Sequence, residues 1–234
     1  MDTIKHLAGI VLSITLLSSA ATAHAQAVGI SSDLMSVEVL HNEKMVEIIR
    51  NQEVDNSVTP DFALTSRPCP PFCIQPMVAA EGVETLGELE VIDYIQKMQN
   101  VNSNILLVDS RTPDWVERGT IPGSTNVSWV DLAPSQGATT ESITAVMTNV
   151  FGIRVADDVD EIDIDEAIVG GTLGEIFDYS AAKILVLFCN GMWCGQSPES
   201  IRTLLKYGYP AEKLKWYRGG MQAWEILSLT TVKP

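Results

Sequence analysis

The apolar run Ile184–Phe188, leading straight into Cys189, constrains the fold more than any other stretch of the chain. It is too short for a helix and shows no alternation of apolar with polar residues. It therefore reads as a strand buried on both faces, as in a parallel sheet covered by helices on each side. A loop follows over Asn190–Gln196, and Ser197-Pro198-Glu199 then opens a helix carrying Ile201, Leu204 and Leu205 on one face. Ser is read as the cap, Pro as the first-turn residue and Glu as a complement to the helix dipole. A second apolar run, Ile105–Val108 ending at Asp109, repeats the pattern, and Thr112-Pro113 caps a short helix after it. Strands alternating with helices predict an α/β fold with a mostly parallel central sheet.

The remaining punctuation divides the chain into three parts. Residues 1–25 hold Lys5, an apolar run Leu7–Leu17 and the small-residue pattern Ala23-His24-Ala25, the order of a cleaved secretory signal too short to span a bilayer. Residues 26–80 form a small N-terminal extension. Its positions 34–50 alternate like a hairpin turning at His41–Lys44, and five prolines between 60 and 76 mark an irregular stretch with a CPPFC turn. The main domain spans 81–234. A capping box at Thr85 and Glu88 starts a helix running to about Gln99, Ile121-Pro122-Gly123 turns the chain into a strand at Asn126–Trp129, and a last strand and helix fall near Lys215–Tyr217 and Met221–Ile226. The acidic cluster Asp157–Glu166 lacks the spaced ligands of an EF-hand loop and reads as a solvated loop or helix start.

The formal charge of −15, from 30 acidic against 15 basic residues, repels phosphate backbones and anionic lipid. Nucleic acid and stable membrane insertion after signal removal are therefore excluded as expectations, and a periplasmic or secreted location is expected. The 4 cysteines form two close pairs, Cys69 with Cys73 and Cys189 with Cys194. Bonds within such pairs close only small loops and stabilise little, so the spacing points to local chemistry.

Cys189 carries the strongest chemical signal. It stands at the carboxyl end of a buried strand and just before a helix, where inward-turned loop amides and the helix dipole favour an anion. The same field favours thiolate over thiol and makes the sulfur a nucleophile near neutral pH. Gly191 and Gly195 let the backbone approach a ligand closely, and Trp193 walls the pocket or plugs the loop.

The chain resembles the rhodanese-like domains. The resemblance rests on Val108-Asp109-Ser110-Arg111, Trp115 through Ile121-Pro122-Gly123-Ser124-Thr125-Asn126-Val127, the strand and loop at Cys189, and Tyr217-Arg218-Gly219-Gly220-Met221-Gln222-Ala223-Trp224. It covers roughly residues 81–234 and implies an exported bacterial sulfurtransferase. Cys189 would accept sulfane sulfur as a persulfide and pass it to a small acceptor or a carrier-protein thiol. The resemblance further implies a substrate-binding loop of Asn190, Gly191, Met192, Trp193, Gly195, Gln196 and Ser197, with Asp109 and Arg111 as a supporting ion pair. No metal and no cofactor are implied. The sequence departs from the family in one respect that matters chemically: Cys194 stands where many members carry a loop arginine, and Asn190–Gln196 contains no Lys or Arg.

Other readings stay open at this stage. Cys194 can resolve a persulfide on Cys189 by forming an intraloop disulfide, or be a thiol without a role. Cys69 and Cys73 can form a disulfide, a redox pair exchanging with Cys189, or half of a zinc site. The chain as a whole can be a thiol–disulfide protein or a non-catalytic binding module. A phosphatase or arsenate reductase would need an arginine clamp that the loop lacks.

Overall fold

The computed structural model describes residues 27–234. The expected signal at 1–25 lies outside the described residues. Among these, no helix is long and apolar enough to cross a membrane.

The described chain opens with a hairpin, β1 (Ser36–His41) and β2 (Lys44–Ile49), joined through Asn42 and Glu43, both at positive φ. A one-turn helix α1 (Pro60–Ala63) and the Pro-rich stretch lead to β3 (Glu84–Leu86), α2 (Glu88–Met98), β4 (Ile105–Asp109), α3 (Pro113–Val116) and β5 (Thr125–Asn126). Then come α4 (Thr140–Asn149), β6 (Arg154–Val155), α5 (Glu161–Gly170), α6 (Leu173–Ile176) and β7 (Phe177–Asp178). The chain finishes with β8 (Ile184–Phe188), α7 (Gln196–Lys206), β9 (Leu214–Tyr217) and α8 (Gly220–Ile226).

Five strands form one all-parallel sheet in the order β3-β9-β8-β4-β5, which is the expected α/β architecture flanked by helices. β8 lies at its centre, and its residues serve both faces. Leu185 and Leu187 pack with Ile143, Met147, Ile201 and Leu204 on one side, while Val186 and Phe188 pack with Ile92, Ile95, Met221 and Trp224 on the other. Double burial explains why β8 reads as an unbroken apolar run. Val37, Val39, Ile48 and Phe62 from the extension join the second cluster instead of forming one of their own. The hairpin is further tied to the carboxyl end of the chain by Arg50 Nε donating to the Leu227 carbonyl at 2.8 Å.

Three local expectations are corrected. Thr85 is not a helix cap: it lies in β3 beside Trp216 of β9, and its hydroxyl donates to the Met77 carbonyl. α2 instead begins after Gly87, whose amide donates to the Glu90 carboxylate at 3.1 Å. The strand expected at Asn126–Trp129 shrinks to Thr125–Asn126, because Ser128 accepts from the Val130 amide and turns the chain into a short 3-10 helix. Ser197 does not cap α7, which starts two residues earlier than expected, at Gln196 after Gly195, and the serine is left fully buried. The acidic cluster is the start of α5, with the Asp160 carboxylate accepting from the Ile162 and Asp163 amides.

Candidate functional site

The candidate site lies where β8 ends and α7 begins. The loop between them folds back on itself through the Cys194 amide, which donates to the Gly191 carbonyl at 2.9 Å. The outward carbonyls of Cys189 and Asn190 are taken by the first amides of α8, from Met221 at 2.9 Å and Gln222 at 3.0 Å. This close approach requires Gly220: its φ is +54°, and a Cβ there would stand 2.2 Å from the Cys189 carbonyl oxygen. The carbonyls of Cys189 and Asn190 are thus held outside, whereas that of Cys194 turns inward and accepts from the Cys189 thiol at 3.5 Å, beside the Gly191 and Ser197 amides.

Those amides face the Cys189 sulfur. Burial alone would push its thiol upward, but the neighbouring Cys194 thiol, the Ser197 amide and hydroxyl and the Gly191 amide favour the anion and bring it down to about 7 from 9.0. The Ser197 hydroxyl is fully buried and otherwise unpartnered, and its nearness to the sulfur favours the thiolate. α7 is an 11-residue helix, and its positive end adds to the same field. Cys194 is displaced the opposite way: burial and the neighbouring Cys189 sulfur hold its thiol well above the usual range. The pair is thus a nucleophile beside a proton-bearing thiol, and both cysteines are free.

The other expected loop residues divide by position. Asn190 is buried with its Oδ1 unpartnered, Gln196 accepts from the Cys194 thiol at 3.5 Å, and Gly195 leads into α7. Met192 is 42% exposed and Trp193 only 9%. Trp193 donates to Gln222 at 2.9 Å, and so is both a plug on the loop and a wall of the cavity of about 760 Å³ outside it.

Asp109 and Arg111 form a fully buried pair, Nη2 to Oδ2 at 2.6 Å. Thr120 donates to the same carboxylate at 2.6 Å, and Arg111 reaches the Gly119 carbonyl at 2.7 Å. None of these bonds goes to the Cys189 loop. The pair instead fixes the exit of β4, where the Ser110 amide donates to the Phe188 carbonyl at 2.9 Å. Cys69 and Cys73 are joined in a disulfide with Cα atoms 4.6 Å apart, which removes them as zinc thiolates.

Sequence reasoning missed the cover on this site. The Pro-rich segment lies across the loop: the Gln75 amide donates to the Met192 carbonyl at 2.9 Å, and Phe72 meets Trp193 edge-on at 5.5 Å between centroids. Arg67 stacks on Trp193 at 3.9 Å, bringing to the mouth of the loop a cation the loop itself lacks. Gln222 bridges cover and loop by donating to the Phe62 carbonyl while accepting from Trp193. Arg218 anchors the same segment through the Gln75 and Pro76 carbonyls. Beneath it Cys189 is 2% and Cys194 5% exposed.

No individual curated protein matches the chain. The sequence of residues 91–227, more than half of the 234, does match the family described as the rhodanese-like domain. That match spans β4, the loop at Cys189 and α8, so the chain belongs to the rhodanese-like domain family.

Proposed function

We propose that the protein is a sulfurtransferase that carries sulfane sulfur as a persulfide on Cys189 and passes it to a thiol or small acceptor. The single observation that supports this most is the convergence of two amides, a hydroxyl and a thiol on one buried sulfur, which brings it down to about 7. A thiolate so held attacks the outer sulfur of a donor such as thiosulfate, the donor's S–S bond breaks and sulfite leaves, and the amides that stabilised the thiolate then stabilise the terminal sulfur of the persulfide. Asn190 to Ser197 form the binding loop in this reading, and Asp109 with Arg111 keeps the strand end in place beneath it. With a leader at 1–25, the chemistry takes place outside the cytoplasm, in the periplasm or after secretion, on a small sulfur compound or a carrier-protein thiol. No nucleic acid, membrane lipid, metal or cofactor enters the reaction.

A second reading rests on the contact between the two free thiols. Cys194 attacks the inner sulfur of the Cys189 persulfide, the S–S bond breaks, sulfide leaves, and a Cys189–Cys194 disulfide remains. Intact mass after exposure to thiosulfate, mercaptopyruvate or polysulfide separates the outcomes. Gain of one sulfur atom that is absent in Cys189→Ser and longer-lived in Cys194→Ala supports the carrier with a resolving thiol. Loss of two hydrogens without any sulfur gain supports a thiol–disulfide protein. No mass change with any donor, whether Cys69–Cys73 is oxidised or has been reduced beforehand, indicates a binding module and overturns the proposal.

A further inference from the structure

The cover over Cys189 has its own chemistry. Its tip, Pro68–Cys73, contains one backbone hydrogen bond, from the Phe72 amide to the Pro68 carbonyl at 3.0 Å, and is otherwise closed by the Cys69–Cys73 disulfide. That disulfide bounds a very short loop and so contributes little to holding the whole fold together. What it does hold is Phe72, the residue between the two cysteines that rests against Trp193, which directly precedes Cys194. Cys69 is exposed and Cys73 half-buried, whereas Cys189 and Cys194 are buried. An incoming thiol therefore meets the cover before it meets the site, and with Cys189 2% exposed a sulfur donor reaches it only when the groups over the loop move.

We propose that Cys69–Cys73 is a thiol-exchange site whose reduction by a dithiol unlatches the cover and admits the sulfur donor to Cys189. The thiolate of the dithiol attacks the exposed Cys69 sulfur, the Cys69–Cys73 bond breaks, and Cys73 leaves as a thiolate that takes up a proton. The second thiol of the reductant then attacks the mixed disulfide and releases Cys69 as a thiol. The dithiol ends as a disulfide and the protein has gained two hydrogens, so the exchange balances without another reactant. With the ring open, Pro68–Cys73 keeps one hydrogen bond and Phe72 is no longer pinned. The contacts left to the cover are then the bonds of Gln75, Gln222 and Arg218 and the stacking of Arg67 on Trp193.

Access is read by maleimide labelling of Cys189 in the full chain at pH 7, followed by peptide mass. Under non-reducing conditions the wild type should label slowly, and Cys69→Ser/Cys73→Ser should label about tenfold faster or more, as for a tenfold rise in the open population. Phe72→Ala, with the disulfide intact, should match that rate, because it removes the plug directly. Anaerobic wild type should change from slow to fast after dithiothreitol or a reduced CxxC protein in separate arms. Release by either supports the proposal, and the faster arm identifies the source. Should Cys69→Ser/Cys73→Ser lose its far-UV dichroism, the reductant arms on wild type decide alone. Equal rates in all samples, or fast labelling in Phe72→Ala with no effect of reduction, overturns it. Labelling reports access and not sulfur transfer, so either result leaves the carrier reading standing.

Discussion

Ser197→Ala isolates one of the bonds that make Cys189 a nucleophile. Its hydroxyl is fully buried beside the Cys189 sulfur and bonds to no oxygen or nitrogen, so removing it leaves no other group unpaired and changes little volume. A hydrogen bond to a charged acceptor contributes about 1.5–3 kcal/mol. At about 1.4 kcal/mol per factor of ten, that moves the ionisation midpoint of Cys189 from about 7 to between roughly 8 and 9. About half the sulfur is thiolate at pH 7 in the wild type, and the variant should retain roughly 1–10%. Alkylation of Cys189 measured against pH should therefore slow by about 5- to 50-fold at pH 7, with the plateau at high pH unchanged. A midpoint that stays near 7 would refute the electrostatic account. The linkage has a definite sign. Folding lowers this midpoint from 9.0, so ionisation of Cys189 adds nothing to stability below about pH 7 and favours the folded state increasingly from there to about pH 9. In Ser197→Ala that gain should shrink.

Two further substitutions test the scaffold. Arg111→Met leaves the buried Asp109 carboxylate without its cation and should cost about 3–5 kcal/mol, read from the urea midpoint. A loss below about 1 kcal/mol would show that Thr120 and the main-chain amide of residue 111 satisfy the carboxylate between them. Gly220→Ala forces a side chain into a left-handed backbone with its Cβ against the Cys189 carbonyl. The conformation alone costs about 1–3 kcal/mol, and the displaced loop should raise the Cys189 alkylation midpoint. An unchanged midpoint would mean that the α8 amides do not shape the loop.

Local patterns were enough to find the carrier strand and its cysteine. Ile184–Phe188 is apolar throughout because both faces of β8 are covered, and Asp109 with Arg111 are two residues apart, so their pairing needs only a local turn. The edges were harder to read. Thr85 and Glu88 have the spacing of a capping box, but the open edge of β9 recruits Thr85 into β3, and pairing with a strand distant in sequence outweighs a local cap. Ser197 misleads in the same way: capping and facing a thiolate both suit a serine, and a two-residue shift in the helix start chooses between them.

The sequence by itself determined an α/β domain with a thiol at the carboxyl end of a central strand, because strand burial, loop composition and helix start are written in neighbouring residues. Only the tertiary structure decided what lies over that thiol. Phe72, Gln75 and Arg67 sit in a segment without periodicity, and their contacts with Met192 and Trp193 join residues more than a hundred positions apart. Shape complementarity at that distance leaves no mark in local sequence, so the cover and the cation it brings emerge only once the chain is folded, whereas the disulfide at its tip was among the readings its spacing allowed.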